Sequence, residues 1–240
     1  MSTLEVKNLT KRFGSLVAVR DVSMTVAKGE LRAVIGPNGA GKTTLFNLIT
    51  GDVAPSKGRV VFAGADMTAM APHARSRLGI GRSHQIPHPF ANMSVFENLL
   101  VGAIYGGGKS ERDSYGRCCD VLRVTGLYDK ANVPARTLTL LQRKRLELAR
   151  ALAIEPKLLL LDEIAGGLTE FECGELVKTI KAIHARGTTI VWIEHIVHAL
   201  LSVASRLIVM NFGQILAQGE PHGVMAEAKV REVYMGMPVS

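Results

Sequence analysis

Gly36-Pro37-Asn38-Gly39-Ala40-Gly41-Lys42-Thr43 lies between an apolar run ending at Ile35 and a helical run opening at Lys42, and it fits the pattern GxxxxGK[ST]. Glycines in such a turn let successive backbone N–H groups curl around an anion, and the helix that follows directs its positive dipole end at the same point. Lys42 is then placed to neutralise the β- and γ-phosphates of a nucleotide, with the Thr43 hydroxyl on its Mg²⁺. Thr44 completes the cradle, and Lys42 to Thr50 reads as a helix closed by Gly51.

A site of this kind needs a carboxylate at the end of a neighbouring buried strand. Leu158-Leu159-Leu160-Leu161-Asp162-Glu163 supplies it, because an unbroken apolar run between Pro156 and an acidic pair reads as a strand of a parallel sheet covered on both faces. Asp162 is the expected metal ligand. Glu163, one residue on, is the candidate general base for the attacking water, a role worth about 10²–10⁴ in rate.

Outward from these two elements, Leu4 to Gly36 alternates apolar and polar residues as half-buried strands do. Gly58 to Phe62 and Gly79 to Gln85 read as short strands, and Thr188 to Ile193 as another buried one reached through a helix over Glu170 to Arg186. The tail reads as a hairpin around Asn211-Phe212-Gly213. Pro87 to Ile154 changes character and reads as helical, with an amphipathic helix in which Leu146, Ala149, Leu152 and Ala153 form the buried face and Arg143, Lys144, Glu147 and Arg150 lie off it. The expectation is an α/β fold: a P-loop, RecA-like core with an N-terminal antiparallel β subdomain and an inserted helical subdomain. Residues 1–86 and 155–240 form the core and 87–154 the helical insertion.

Composition narrows the function. The chain has 240 residues, 47% hydrophobic and 21% charged, which is globular usage. Aromatics are only 5%, too few for a stacking platform for single-stranded nucleic acid, and the formal charge of +8 reads as a basic solvated surface; no nucleic-acid partner is expected. Met1 to Arg20 mixes Glu5, Lys7, Lys11, Arg12 and Arg20 into its apolar residues and does not read as a signal peptide. Thr188 to Met210 is broken by Glu194, His195, His198 and Arg206, so it does not read as a membrane span. A cytoplasmic chain, held at the inner face of the cell membrane through a partner, is the expectation.

The cradle and the acidic strand alone suit kinases and GTPases as well. Across nearly its whole length, however, the sequence resembles the ATPase subunits of ABC transporters, and among them those of branched-chain amino acid importers. Lys11 to Val19 (KRFGSLVAV), Gly36 to Gly51 (GPNGAGKTTLFNLITG) and Gly213 to Gly219 (GQILAQG) carry the resemblance. It implies that Phe13 stacks on adenine, that Gln85 contacts Mg²⁺ and links the nucleotide to the permease, and that His195 orients the catalytic water against the γ-phosphate. It implies that Gly166 to Thr169 crosses a dimer interface. It also implies an enzyme that closes as a dimer on ATP, pulls on separate transmembrane subunits and serves a solute-binding protein outside the membrane. The clear departure is the signature loop, Leu138-Thr139-Leu140-Leu141-Gln142, where the family reads LSGGQ. Thr139 keeps a hydroxyl, but Leu141 replaces a glycine whose bare backbone meets the γ-phosphate on the opposite subunit. This favours a heterodimer with a second ATPase subunit over a homodimer. A nucleotide-gated module with negligible hydrolysis is the competing reading.

Overall fold

The computed structural model describes residues 2–235, in two compact units: one drawn from both ends of the chain, through Pro72 and from Thr189 onward, the other from His73 to Thr188. In the first unit, β1 (Ser2–Phe13), β2 (Leu16–Ala27), β4 (Lys57–Phe62) and β5 (Ala65–Asp66) form an antiparallel sheet in the order β2-β1-β4-β5. Its inward face is set by period-two patterning: Val22, Met24 and Val26 are buried while Ser23, Thr25 and Ala27 are exposed. β3 (Leu31–Ile35) pairs in parallel with β8 (Thr189–Ile193) on one side and β9 (Arg206–Asn211) on the other, and β10 (Gln214–Gly219) returns antiparallel to β9. Between these strands lie α1 (Lys42–Thr50) and α7 (Val197–Leu201), with α8 (Pro221–Ala226) and α9 (Ala228–Met235) at the end. Every residue of β8 is buried, including Trp192, the chain's only tryptophan.

The second unit holds the parallel pair β6 (Ile80–Ser83) and β7 (Leu158–Asp162) with α2 (Pro72–Arg77), α3 (Val95–Val101), α4 (Glu111–Val124), α5 (Leu140–Ala153) and α6 (Glu170–His184). Leu158 to Leu161 are fully buried, as the unbroken apolar run requires. α3, α5 and α6 each open on a capping box, Ser94 with Glu97, Thr139 with Gln142 and Thr169 with Glu172, in which side chain and backbone exchange hydrogen bonds. Residues 84–91 carry neither helix nor strand. Pro87 and Pro89 explain this, since each lacks an N–H and restricts the residue before it, so the first helix of the stretch waits until Val95.

α5 begins at Leu140, because the Thr139 hydroxyl accepts from the Gln142 N–H and so serves as its N-cap. The structure corrects one expectation about this helix. The polar residues placed off its buried face are in part buried themselves: Lys144 and Glu147 are 3% and 6% exposed. Lys144 donates to the irregular 84–91 segment, and Glu147 accepts from Arg150.

Candidate nucleotide site

The cradle of the first unit is shaped by close backbone approach. A β-carbon on Gly36 would collide with the Met210 carbonyl oxygen, and one on Gly41, at φ +96°, with that of Ala18. The β9–β10 turn braces this loop, since Gly213 N–H donates to Ala40 O at 3.1 Å and Gly213 O accepts from Arg20 N–H at 2.8 Å. Phe212 and Gly213 both hold positive φ in that turn, at 45° and 77°, which a two-residue hairpin turn of this hand demands.

Lys42 is 5% exposed, and its Nζ donates to Gly36 O at 2.8 Å and Pro37 O at 3.1 Å. The ammonium is thus folded over the mouth of its own loop. Asn38, Gly39 and Thr43 are exposed and Thr44 half-buried, and α1 has no acidic residue in its first turn to repel an anion. Phe13 is 48% exposed at the end of β1, with the Lys11 ammonium 4.9 Å from its ring centroid. It presents an open aromatic face rather than a core one. Tyr234 of α9 also reaches this loop, hydrogen-bonding the Gly36 backbone, and burial pushes its phenol above the ordinary range. His195 is exposed in a bend just after β8, and its backbone N–H donates to the buried Glu194 carboxylate at 3.1 Å.

In the second unit Asp162 ends β7 at 3% exposure and accepts from Arg82 Nη2 at 2.7 Å. Glu163 follows with φ +47°, a conformation that side-chain-bearing residues rarely adopt, and this turns it away from the strand. Gln85 Nε2 donates to Glu163 Oε2 at 2.7 Å, so two residues separated by 78 positions and singled out independently meet in one hydrogen bond. Lys144 Nζ in turn donates to Gln85 O at 2.5 Å. A groove of about 440 Å³ opens alongside, lined by His84, His88, Gly102, Gly106, Arg150 and Ile154.

The candidate signature loop also lies in this unit. Leu138 is buried, Thr139 and Leu140 are exposed, and Leu141 and Gln142 are half-buried. A β-carbon at Gly167 would sit 3.4 Å from Leu140 Cδ2, so the leucine lies beside the Gly166–Thr169 segment. Sequence reasoning missed Arg82, Lys144 and Tyr234. The short strand Ile80-Gly81-Arg82-Ser83 gave no pattern that singled Arg82 out.

A family model described as "ABC transporter" matches residues 19–166. The chain belongs to the ABC transporter ATP-binding family. It is an ATPase of that family, with the cassette fold. The ABC chain is 34% identical to a probable branched-chain amino acid transport ATP-binding protein, LivG, of Methanocaldococcus jannaschii, over 98% of each chain. It is also 34% identical to the lipopolysaccharide export system ATP-binding protein LptB of Acidithiobacillus ferridurans, over 97% of this chain and 96% of that one. A solved ATP-binding cassette of an ABC transporter in its ADP conformation superposes with a TM-score of 0.90 at 33% identity, covering 99% of this chain and all of the other. No helix among the described residues is long and apolar enough to cross a membrane.

Proposed function

We propose that this ABC subunit binds Mg-ATP, hydrolyses it, and so drives a separate transmembrane permease that imports a small solute of the branched-chain amino acid class. The observation that carries the catalytic part is the Gln85–Glu163 hydrogen bond, which joins the permease-facing segment to the candidate base. Glu163 takes the proton of the attacking water, and the donated amide hydrogen bond fixes the direction of its carboxylate. Lys42 exchanges loop carbonyls for phosphate oxygens, Phe13 offers its open face to the base, and His195 holds the water and the γ-phosphate in register. Thr43 in one unit, and Asp162 and the Gln85 amide oxygen in the other, are oxygen donors of the kind Mg²⁺ takes. When bound, that ion would neutralise charge developing on the β- and γ-phosphates. Residues 87–154 act as the helical arm, and the 440 Å³ groove beside His84 and His88 receives the permease.

Leu141 supports an assembly of two different cassettes. Each ATP is closed by the signature loop of the opposite subunit, so this chain's intact cradle is served by its partner, while its own leucine-bearing loop serves the partner's nucleotide poorly. The chain then works at the inner face of the cell membrane, with a solute-binding protein acting on the other side.

The test is co-purification of the native complex followed by uptake of labelled leucine into vesicles. ATP-dependent uptake, lost in Lys42→Ala, is expected. A second reading has its own support, since lipopolysaccharide export ATPases are equally similar in sequence. In that case the same vesicles release a glycolipid and take up no leucine.

A further inference from the structure

We propose that Lys144 and Arg150 are positioning residues that fasten the signature helix α5 to the 85–90 segment, so that movement of the helix is passed to Gln85 and from it to Glu163. The segment is irregular and holds two prolines, so its carbonyl oxygens have no ladder of N–H partners and must find donors elsewhere. α5 provides them. Lys144 Nζ donates to Gln85 O at 2.5 Å and Arg150 Nη1 donates to His88 O at 3.0 Å. The Arg150 guanidinium also lies 5.1 Å from the Phe90 ring centroid, and Glu147 holds it at 3.0 Å. Lys144, Glu147 and Arg150 are three residues apart in succession, which puts them on one face of the helix.

Burial makes the link specific. An ammonium that is 3% exposed is tolerated only where acceptors are held against it, so Lys144 and the Gln85 carbonyl fix each other's positions. Gln85 then spends its side chain on Glu163 Oε2 at 2.7 Å. The path runs from the Thr139-capped start of α5, through the Lys144 ammonium and the Gln85 backbone, to the carboxylate. Contact made at the signature loop is thereby felt at this chain's own Glu163. The inference rests on reading Glu163 as the base and residues 138–142 as the signature loop.

The test uses the full-length chain with Lys144→Met, Lys144→Arg, Gln85→Ala and the Lys144→Met/Gln85→Ala double variant. Lys144→Met is expected to lower kcat by about tenfold or more, the scale of a misplaced catalytic group, while KM for ATP stays within about twofold. Lys144→Arg restores most of the rate, and the double variant is no slower than Gln85→Ala. Hydrogen exchange at the Phe90 amide, which donates to Asn98 Oδ1 at 2.8 Å, speeds up in Lys144→Met, while the amides inside α5 keep their protection. Parental turnover in Lys144→Met, rate losses that multiply in the double variant, or α5 losing protection together with the segment would overturn the proposal. A parent chain without turnover counts against the ATPase reading, and the exchange measurement still decides whether the link exists.

Discussion

Leu141→Gly should make the protein less stable and more active at once. Leu141 occupies the second position of α5 and is half-buried. Glycine there removes roughly 1 kcal/mol of helix propensity. Withdrawing a half-buried leucyl side chain removes about 1 kcal/mol more. A total near 2 kcal/mol lowers Tm by about 4–8 °C in a chain of this size. Against that, the substitution bares a backbone N–H at a helix N-terminus whose dipole, in the proposed dimer, would face the opposite subunit's γ-phosphate. A hydrogen bond to a charged group contributes about 1.5–3 kcal/mol. If it forms only on closure, turnover rises by about tenfold or more. The assay is phosphate release by the purified chain at saturating Mg-ATP, with thermal unfolding followed by circular dichroism on the same samples. Turnover equal to or below the parent's, from a variant that still unfolds cooperatively, would refute the argument that Leu141 is what impairs this loop.

Glu163→Gln should abolish phosphate release and leave ATP binding intact, measured by equilibrium dialysis, because the amide keeps a partner for Gln85 but cannot accept a proton. Gly41→Ala should cost at least about 2 kcal/mol and weaken nucleotide binding, since strained φ and a backbone collision act together there. Gly39→Ala is the internal comparison: φ is +79° but open space surrounds it, so denaturant titration should show strain alone and a smaller loss. Burial pushes the Cys118 thiol up to about 11 from an ordinary 9. The unfolded chain therefore gives up this proton first as pH rises, so the thiol's contribution is flat below about 9 and is lost towards about 11, which Cys118→Ala should remove from the pH–stability curve. At pH 8, iodoacetamide should label Cys118 only after unfolding.

Much of the glycine-rich loop and the helix after it was legible because local rules decide them. The helix bounds Lys42–Thr50 and the Gly51 cap follow from chain-local signals, and α1 is found there. The strand carrying Asp162 was legible for the same reason, since an unbroken leucine run admits few environments. α5 was misread where tertiary structure overrides pattern. Amphipathic periodicity assigns polar residues to solvent, yet Lys144 is enclosed because a segment with two prolines nearby needs hydrogen-bond donors, and Glu147 is enclosed as the acceptor that holds Arg150, the second such donor. Nothing local to α5 announces that demand. The Arg82–Asp162 ion pair is similar: it depends on β6 lying parallel to β7 with Ser83 opposite Leu161, a register that only the folded sheet fixes.

Trp192 lies three residues before His195 on β8, fully enclosed and without a second indole anywhere in the chain. An indole in so dry a setting emits at short wavelength, and all of the emission arises from one strand. Colour and lifetime of that light therefore gauge the packing around the histidine's own support. The molecule carries an optical reporter beside its proposed γ-phosphate sensor, ready for stopped-flow work without a label.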